Sequence, residues 1–436
     1  MGHRLHATGV LIAALLFAVM APAPTAAAAT VDTVVQWNEY ATTSLIDRAS
    51  PASNGAPPAA TLQLAMVHGA VYDAVNAIGG GYQPYLVSPP AMSWYSKDAA
   101  AATAAYRVLV DPSLKVTDAR KLELGALYDT SLAAIPSGAA KDGGIGVGEV
   151  AAKAMLDARK DDGRFGAFRF TPGFGAGQWR PELPSFVSDP NAWVGLVKPF
   201  LVNSQDQFIS DGPDALASAE YAADFNEVKA IGSSTSTTRT GDQTDAGLFW
   251  TDNAIAMWSR IFRQLSAARG LTMVENARFF AMLYLTGADA LITVWADKAR
   301  WSFWRPISAI RGAATDGNAA TEADSAWLPL APTAPYPEHA SGHSSLSSSF
   351  VHTLQDFFGT DKIAFSDVSN VTHTRRSFAR FSDAIKEIID ARVYIGIHFR
   401  HADIAGANIG KHVAHWRDKN YFQPTDKKNK DKQKGH

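Results

Sequence analysis

Between residues 30 and 426, apolar side chains recur mainly at helical spacing, and the long alternating runs that a half-buried strand needs are scarce. This spacing predicts an all-α fold of paired helical bundles with long ordered loops. Helices are expected over 61–78, 106–134 with an interruption near Pro112, 147–160, 253–269, 276–301, 343–358, 375–394 and 404–419. Residues 161–200, rich in Gly, Pro and aromatics, predict a long ordered loop, and 232–245, rich in Ser, Thr and Gly, a second break. No period indicates repeats. The expected organisation is an N-terminal bundle with its loop over 30–230, buttressing a C-terminal bundle over 231–426.

The two ends read differently. Residues 1–29 have a basic start at Arg4, an uncharged apolar run of 13 residues over 9–21, then prolines and small residues, the pattern of a secretory signal. A bilayer span needs about 20 apolar residues, and no later stretch is expected to supply them. The chain is therefore expected to be exported and soluble, in the extracellular space or cell envelope. The last ten residues hold five Lys and one Asp and predict a solvated, disordered basic tail over 427–436.

Composition removes several function classes. With no cysteine there is no disulfide framework, thiolate zinc site, catalytic thiol or lipid-bearing cysteine. A net charge of -2 recruits no nucleic acid.

Three C-terminal segments hold the candidate chemistry. In DKARWSFWRPIS, Lys298 and Arg305 are seven apart, about 700° on a helix, so they nearly share a face; Pro306 would end or kink that helix and leave Arg305 free to turn into a pocket. In APYPEHASGHSSLSSSF, Ser341 can cap a helix, Gly342 lets the backbone approach closely, and the first-turn amides favour an anion. The G-x-S-x-G elbow of a serine hydrolase is absent from that segment. In DARVYIGIHFRHAD, Arg392 and His398 are about 120° out of register on an unbroken helix and would meet only if the chain breaks near Gly396. The same segment offers a rival zinc site in His398, His401 and Asp403. Each segment alone also has a structural reading: solvated cations, a simple cap, a core histidine. Convergence of Lys298, Arg305 and Arg392 in one dry pocket would instead demand a highly charged anion between them, and zinc would add to the repulsion.

K-x6-RP (Lys298, Arg305, Pro306), SGH (Ser341, Gly342, His343) and R-x5-H (Arg392, His398), in this order, resemble the three-part signature shared by vanadium-dependent haloperoxidases and type 2 acid phosphatases. LAMVHGAVYDAVNAI, GQWRPELP and VWADKARWSFWRPISAIR are similar to secreted bacterial haloperoxidases, so the resemblance covers most of the chain. Ala340 departs from it, standing where the family usually has proline.

The resemblance implies vanadate as cofactor, with no haem, flavin or nicotinamide. His398 would bond vanadium axially; Lys298, Arg305, Ser341, the Gly342 amide and Arg392 would hold the equatorial oxygens. His343 would be the acid-base residue, and Lys298 would polarise a peroxovanadate that oxidises halide to hypohalous acid equivalents, with vanadium pentavalent throughout. Hydrogen peroxide, a halide and an organic acceptor are the partners implied. Trp295 matches an aromatic near the halide site of chlorinating members. Tyr336 stands where those members tend to carry Phe and brominating ones His. The alternative is a secreted acid phosphatase, in which His398 forms a phosphohistidine and His343 protonates the leaving alcohol. A non-catalytic oxyanion binder is disfavoured, since both histidines that chemistry requires are present.

Overall fold

The computed structural model describes residues 1–2, 31–48, 56–184 and 186–425. Nearly all of the expected signal (1–29) and the whole basic tail (427–436) lie outside the described residues. Contacts divide the chain into Met1–Val31 and Asp32–His436, and the second unit carries all the helices described below.

Its first helices are α1 (Thr33–Thr42), α2 (Pro57–Gly79), α3 (Lys97–Leu109), α4 (Asp118–Ala133) and α5 (Ala139–Ala158). After the long loop come α6 (Ala219–Ile231), α7 (Gly241–Phe249), α8 (Ala254–Arg269), α9 (Met273–Trp301) and the short α10 (Pro306–Gly312). The last three are α11 (Gly342–Phe358), α12 (Phe381–Tyr394) and α13 (Arg400–Asn420). Local chemistry sets many of the starts. Side chains of Ser96, Thr117, Ser218, Asn253 and Ser341 cap α3, α4, α6, α8 and α11. Thr240 with Gln243, and Thr272 with Glu275, close full capping boxes on α7 and α9.

The expected helices are present, with three differences. Residues 375–378 are not helical: β1 (Phe365–Val368) and β2 (Arg375–Phe378) form an antiparallel pair in which Phe365 faces Phe378. That places Phe378 on the aromatic group of Trp250 and Phe365 and leaves Arg376 free to bond Glu387 and Asp245. Second, α7 begins inside the expected 232–245 break, because its capping box outweighs the poor helix propensity around it. Third, α9 is long and apolar enough to cross a membrane by length and composition, contrary to the expectation from sequence. In this fold it is the central core helix, buried almost throughout and packed by α2, α11 and α13.

The 161–200 loop is ordered by charge. Arg159 bonds Asp162 and the carbonyls of Lys198 and Pro199, while Asp289 on α9 accepts the N–H groups of Phe200, Leu201 and Val202. These bonds hold the end of the loop against α9.

Candidate active site

Four chain breaks bring the site together. α9 ends at Trp301, where Ser302 takes a left-handed conformation (φ 43°), and Trp179 and Trp304 then pair the chain with the long loop through N–H bonds to Ser302 and Gly177 carbonyls. Lys298 and Arg305 are therefore not on one helix, as their spacing had suggested. Arg305 is the residue before α10, with Pro306 at its first position, where the missing N–H costs nothing. The two cations nonetheless meet: Lys298 Nζ lies 5.1 Å and the Arg305 guanidinium 4.9 Å from the Tyr336 ring centre.

The third break is the start of α11 after the 331–341 turn, and the fourth is Gly396. With φ of 78° it ends α12, and a side chain there would lie 2.4 Å from the Gly232 carbonyl, so only glycine fits. His398 then lies in the turn before α13, on the same cavity as Arg392 at the end of α12.

That cavity, of about 460 Å³, is lined by Trp250, Trp295, Tyr336, His343, Arg392 and His398 among others. His398 is buried. Its Nδ1 is 2.8 Å from Glu338 Oε1 and its Nε2 is 3.2 Å from Arg305 Nη1. Burial, followed by Arg305, Lys298 and Arg392, holds its pKa well below the ordinary imidazole range, so the ring is neutral. A neutral ring facing a guanidinium N–H must present its Nε2 lone pair and carry its proton on Nδ1. His343, in the first turn of α11, is also held neutral by burial and by Arg392, and its Nε2 finds no partner among the described residues.

The cations are unevenly satisfied. Arg305 donates to the carbonyls of Tyr336 and Ile397, and Arg392 to that of Trp250, leaving Arg305 Nη2 and Arg392 Nε buried without partners. Lys298 is saturated: Nζ donates to the carbonyls of Pro337 (2.8 Å), Glu338 (3.0 Å) and Ala340 (2.6 Å). Burial and Arg305 push its pKa well down, yet three carbonyl acceptors are met only by the three protons of an ammonium.

Sequence reasoning missed Glu338 and read Asp403 only as a candidate zinc ligand. Burial pushes Glu338 up to about 8, with Arg305 and Lys298 opposing. Asp403 is pushed up to about 7 by burial, against hydrogen bonds from Ser341 and Ser344. Only in their ionised forms would these carboxyls balance part of the cationic charge. Glu338 stands three residues before Ser341 in APYPEHASGH, and an acid that close to the candidate anion-binding helix start was the available signal. The zinc alternative does not form. His398 turns to Glu338, His401 to Asp214 at 3.0 Å and Asp403 to the serines, and no cluster of metal-binding side chains occurs among the described residues.

On the outer wall Trp295 and Tyr336 pack with ring centres 5.1 Å apart. The Trp295 N–H is committed to Asp189 Oδ2 at 3.1 Å. Gly342 is required beneath them, since a Cβ there would come within 2.7 Å of the Trp295 ring.

Fold and site thus define a helical protein with a buried, partly unsatisfied cationic site. Residues 278–425 match the family model of the VCPO second helical-bundle domain. Vanadium chloroperoxidase of Curvularia inaequalis is 24% identical over 302 residues, 57% of this chain and 49% of that protein, so the chain spans about half the length of that relative. Among solved structures, the first bacterial vanadium-dependent iodoperoxidase has TM-score 0.78 at 22% identity, covering 91% of this chain and 97% of that one. A holo-type bacterial vanadium-dependent chloroperoxidase has TM-score 0.67 at 17% identity, covering 86% and 94%. The chain thus carries a match to this domain over its C-terminal third and has the fold of the solved bacterial vanadium haloperoxidases.

Proposed function

We propose that the protein is a vanadium-dependent haloperoxidase, oxidising halide with hydrogen peroxide to hypohalous acid equivalents. The observation that carries this reading is the set of buried nitrogens without partners on Arg305, Arg392 and His343, around the Nε2 lone pair of a neutral His398. Unsatisfied buried donors cost about 1–3 kcal/mol each, and an oxyanion is the ligand whose oxygens would satisfy them.

Vanadate bound there would supply a pentavalent Lewis acid that activates peroxide toward halide without haem, flavin or nicotinamide. The protein's own part is electrostatic and positional. His398 would present Nε2, Arg305 and Arg392 would neutralise oxygens, and the Gly342 amide would donate from the start of α11, joined by the Ser341 hydroxyl once it releases Asp403. His343 takes and returns a proton at Nε2. Lys298 contributes its charge through the 337–340 turn, and direct contact with a bound oxygen would require it to release one of its three carbonyls. At the Trp295 and Tyr336 wall, the indole N–H is already taken by Asp189, so a halide there would shed water without gaining that donor. That favours bromide, which is cheaper to dehydrate, over chloride. The signal-like sequence of residues 1–29 supports export.

Phosphate has nearly the same shape as vanadate, and a neutral His398 Nε2 is also a competent nucleophile, which keeps the phosphatase as the second reading. Peroxide-dependent bromide oxidation is expected to rise saturably with orthovanadate, with added phosphate shifting the midpoint upward. Full activity after exhaustive vanadate removal, or a stoichiometric zinc content, would remove the proposal.

A further inference from the structure

Two histidines face the cavity, and among the described residues only His398 has a carboxyl partner. Glu338 Oε1 accepts from His398 Nδ1 at 2.8 Å and from the Phe399 N–H at 3.0 Å, so one oxygen grips both the ring and the backbone beside it. Glu338 is itself immobilised. Its N–H donates to the Phe303 carbonyl at 2.9 Å, its own carbonyl accepts from Lys298, and the carbonyls of Pro337 and Ala340 on either side accept from the same ammonium.

We propose that Glu338 is a positioning residue for the oxyanion site: it fixes the Nδ1–H tautomer and the ring angle of His398, so that Nε2 offers its lone pair to the bound anion. Lys298 acts in the same unit by holding the turn from which Glu338 reaches. The physical need is specific. A neutral imidazole has two tautomers of similar energy, and the one protonated at Nε2 can neither bond a central atom nor accept from Arg305. A carboxyl fixed at Nδ1 selects the useful form, as outer-shell carboxyls do for metal-bound histidines. A carboxyl that only braced the 337–340 turn would need the Phe399 N–H and no contact with the ring. The inference rests on the oxyanion reading of the site, though not on which oxyanion is bound.

The test uses the full chain, with orthovanadate and inorganic phosphate as separate calorimetric probes and ¹⁵N spectra of histidine-labelled protein, the His398 signals assigned by difference against His398→Ala. Wild type should show His398 protonated at Nδ1 alone. Glu338→Ala should mix the tautomers and weaken binding of both anions by about 10- to 100-fold. Glu338→Gln, whose carbonyl oxygen can still accept both bonds, should restore a single tautomer and bring affinity back to within about threefold of wild type, an energy difference below about 1 kcal/mol. An Nε2–H tautomer in the wild type would overturn the proposal without any variant having to fold. So would a Glu338→Ala protein that loses affinity with its tautomer unchanged, which is the signature of a brace alone. Phosphate binding without vanadate binding would defeat the vanadium reading, while the phosphate titrations would still decide the role of Glu338.

Discussion

His398→Ala should bind orthovanadate more than about 100-fold less tightly than the wild type, whereas His343→Ala should keep most of that affinity and lose chiefly turnover. Losses from outer-shell changes at metal-bound histidines already reach about 10- to 100-fold, and this substitution removes the bonding nitrogen itself. It also frees both neighbours of the ring. Glu338 loses the Nδ1 donor and Arg305 the Nε2 acceptor, so the carboxyl oxygen can accept from the guanidinium instead and draw it off the site. His343 has no such bonds at Nε2, and its removal leaves the cage standing. A positioned acid-base group contributes about 10²- to 10⁴-fold to rate, and His343→Ala should lose a factor in that range. Vanadate titrations and steady-state peroxidase assays on both variants check the pair; equal vanadate affinity in His398→Ala and wild type would refute the assignment.

Gly406→Ala should destabilise the protein by about 3 kcal/mol and weaken oxyanion binding with it. Alanine is ordinarily the better helix former by about 1 kcal/mol, so the sign is set by packing. At Gly406, α13 crosses the first residue before α11, and an added Cβ would lie 2.2 Å from the Ser341 carbonyl oxygen and 3.1 Å from its carbon. Both obstacles are backbone, which no rotamer change can move. One turn on, Gly410 meets the Ser345 carbonyl at 2.1 Å in the same way, so the helices cannot slide to relieve the strain. Overpacking typically costs about 1–3 kcal/mol when side chains can adjust, and here they cannot. The displaced group is Ser341, together with the Gly342 amide, both assigned to the anion. Denaturant melts and vanadate titration measure the two effects. Gly146→Ala on α5, where nothing lies within 4 Å of the added atom, is the control and should be neutral or stabilising.

The helices were legible because burial on one side imposes a 3.6-residue period, and the same rule fails where a short element is held by contacts distant in sequence. β2 is four residues long, and nothing within 375–378 announces that Phe378 will pack on Phe365 and Trp250. α9 shows the converse limit. Its apolar character is that of a helix surrounded by protein, which composition alone does not distinguish from one surrounded by lipid.

The candidate site was legible in its residues more than in its geometry. Lys298 and Arg305 do approach one another, but by a left-handed turn at Ser302 and a return of the chain rather than by sharing a helical face. Arg392 and His398 share a cavity because Gly396 breaks the helix between them, the condition their spacing had required. Glu338 was passed over, and Asp403 taken only for a zinc ligand, for a different reason. An acid reads as solvated by default, and only the folded structure reveals that both are buried and bonded to the histidine and serines of the site.

One preparation, stripped of oxyanions and then divided, tests the central claim most directly. One portion is loaded with orthovanadate and assayed for peroxide-dependent halogenation of monochlorodimedone with bromide and chloride; the other is assayed without vanadate for hydrolysis of a phosphate ester. Vanadate-dependent bromination exceeding chlorination, with little ester hydrolysis, is the predicted result. Phosphate-ester hydrolysis by the vanadate-free protein, with no oxidation of either halide by the loaded one, would contradict it.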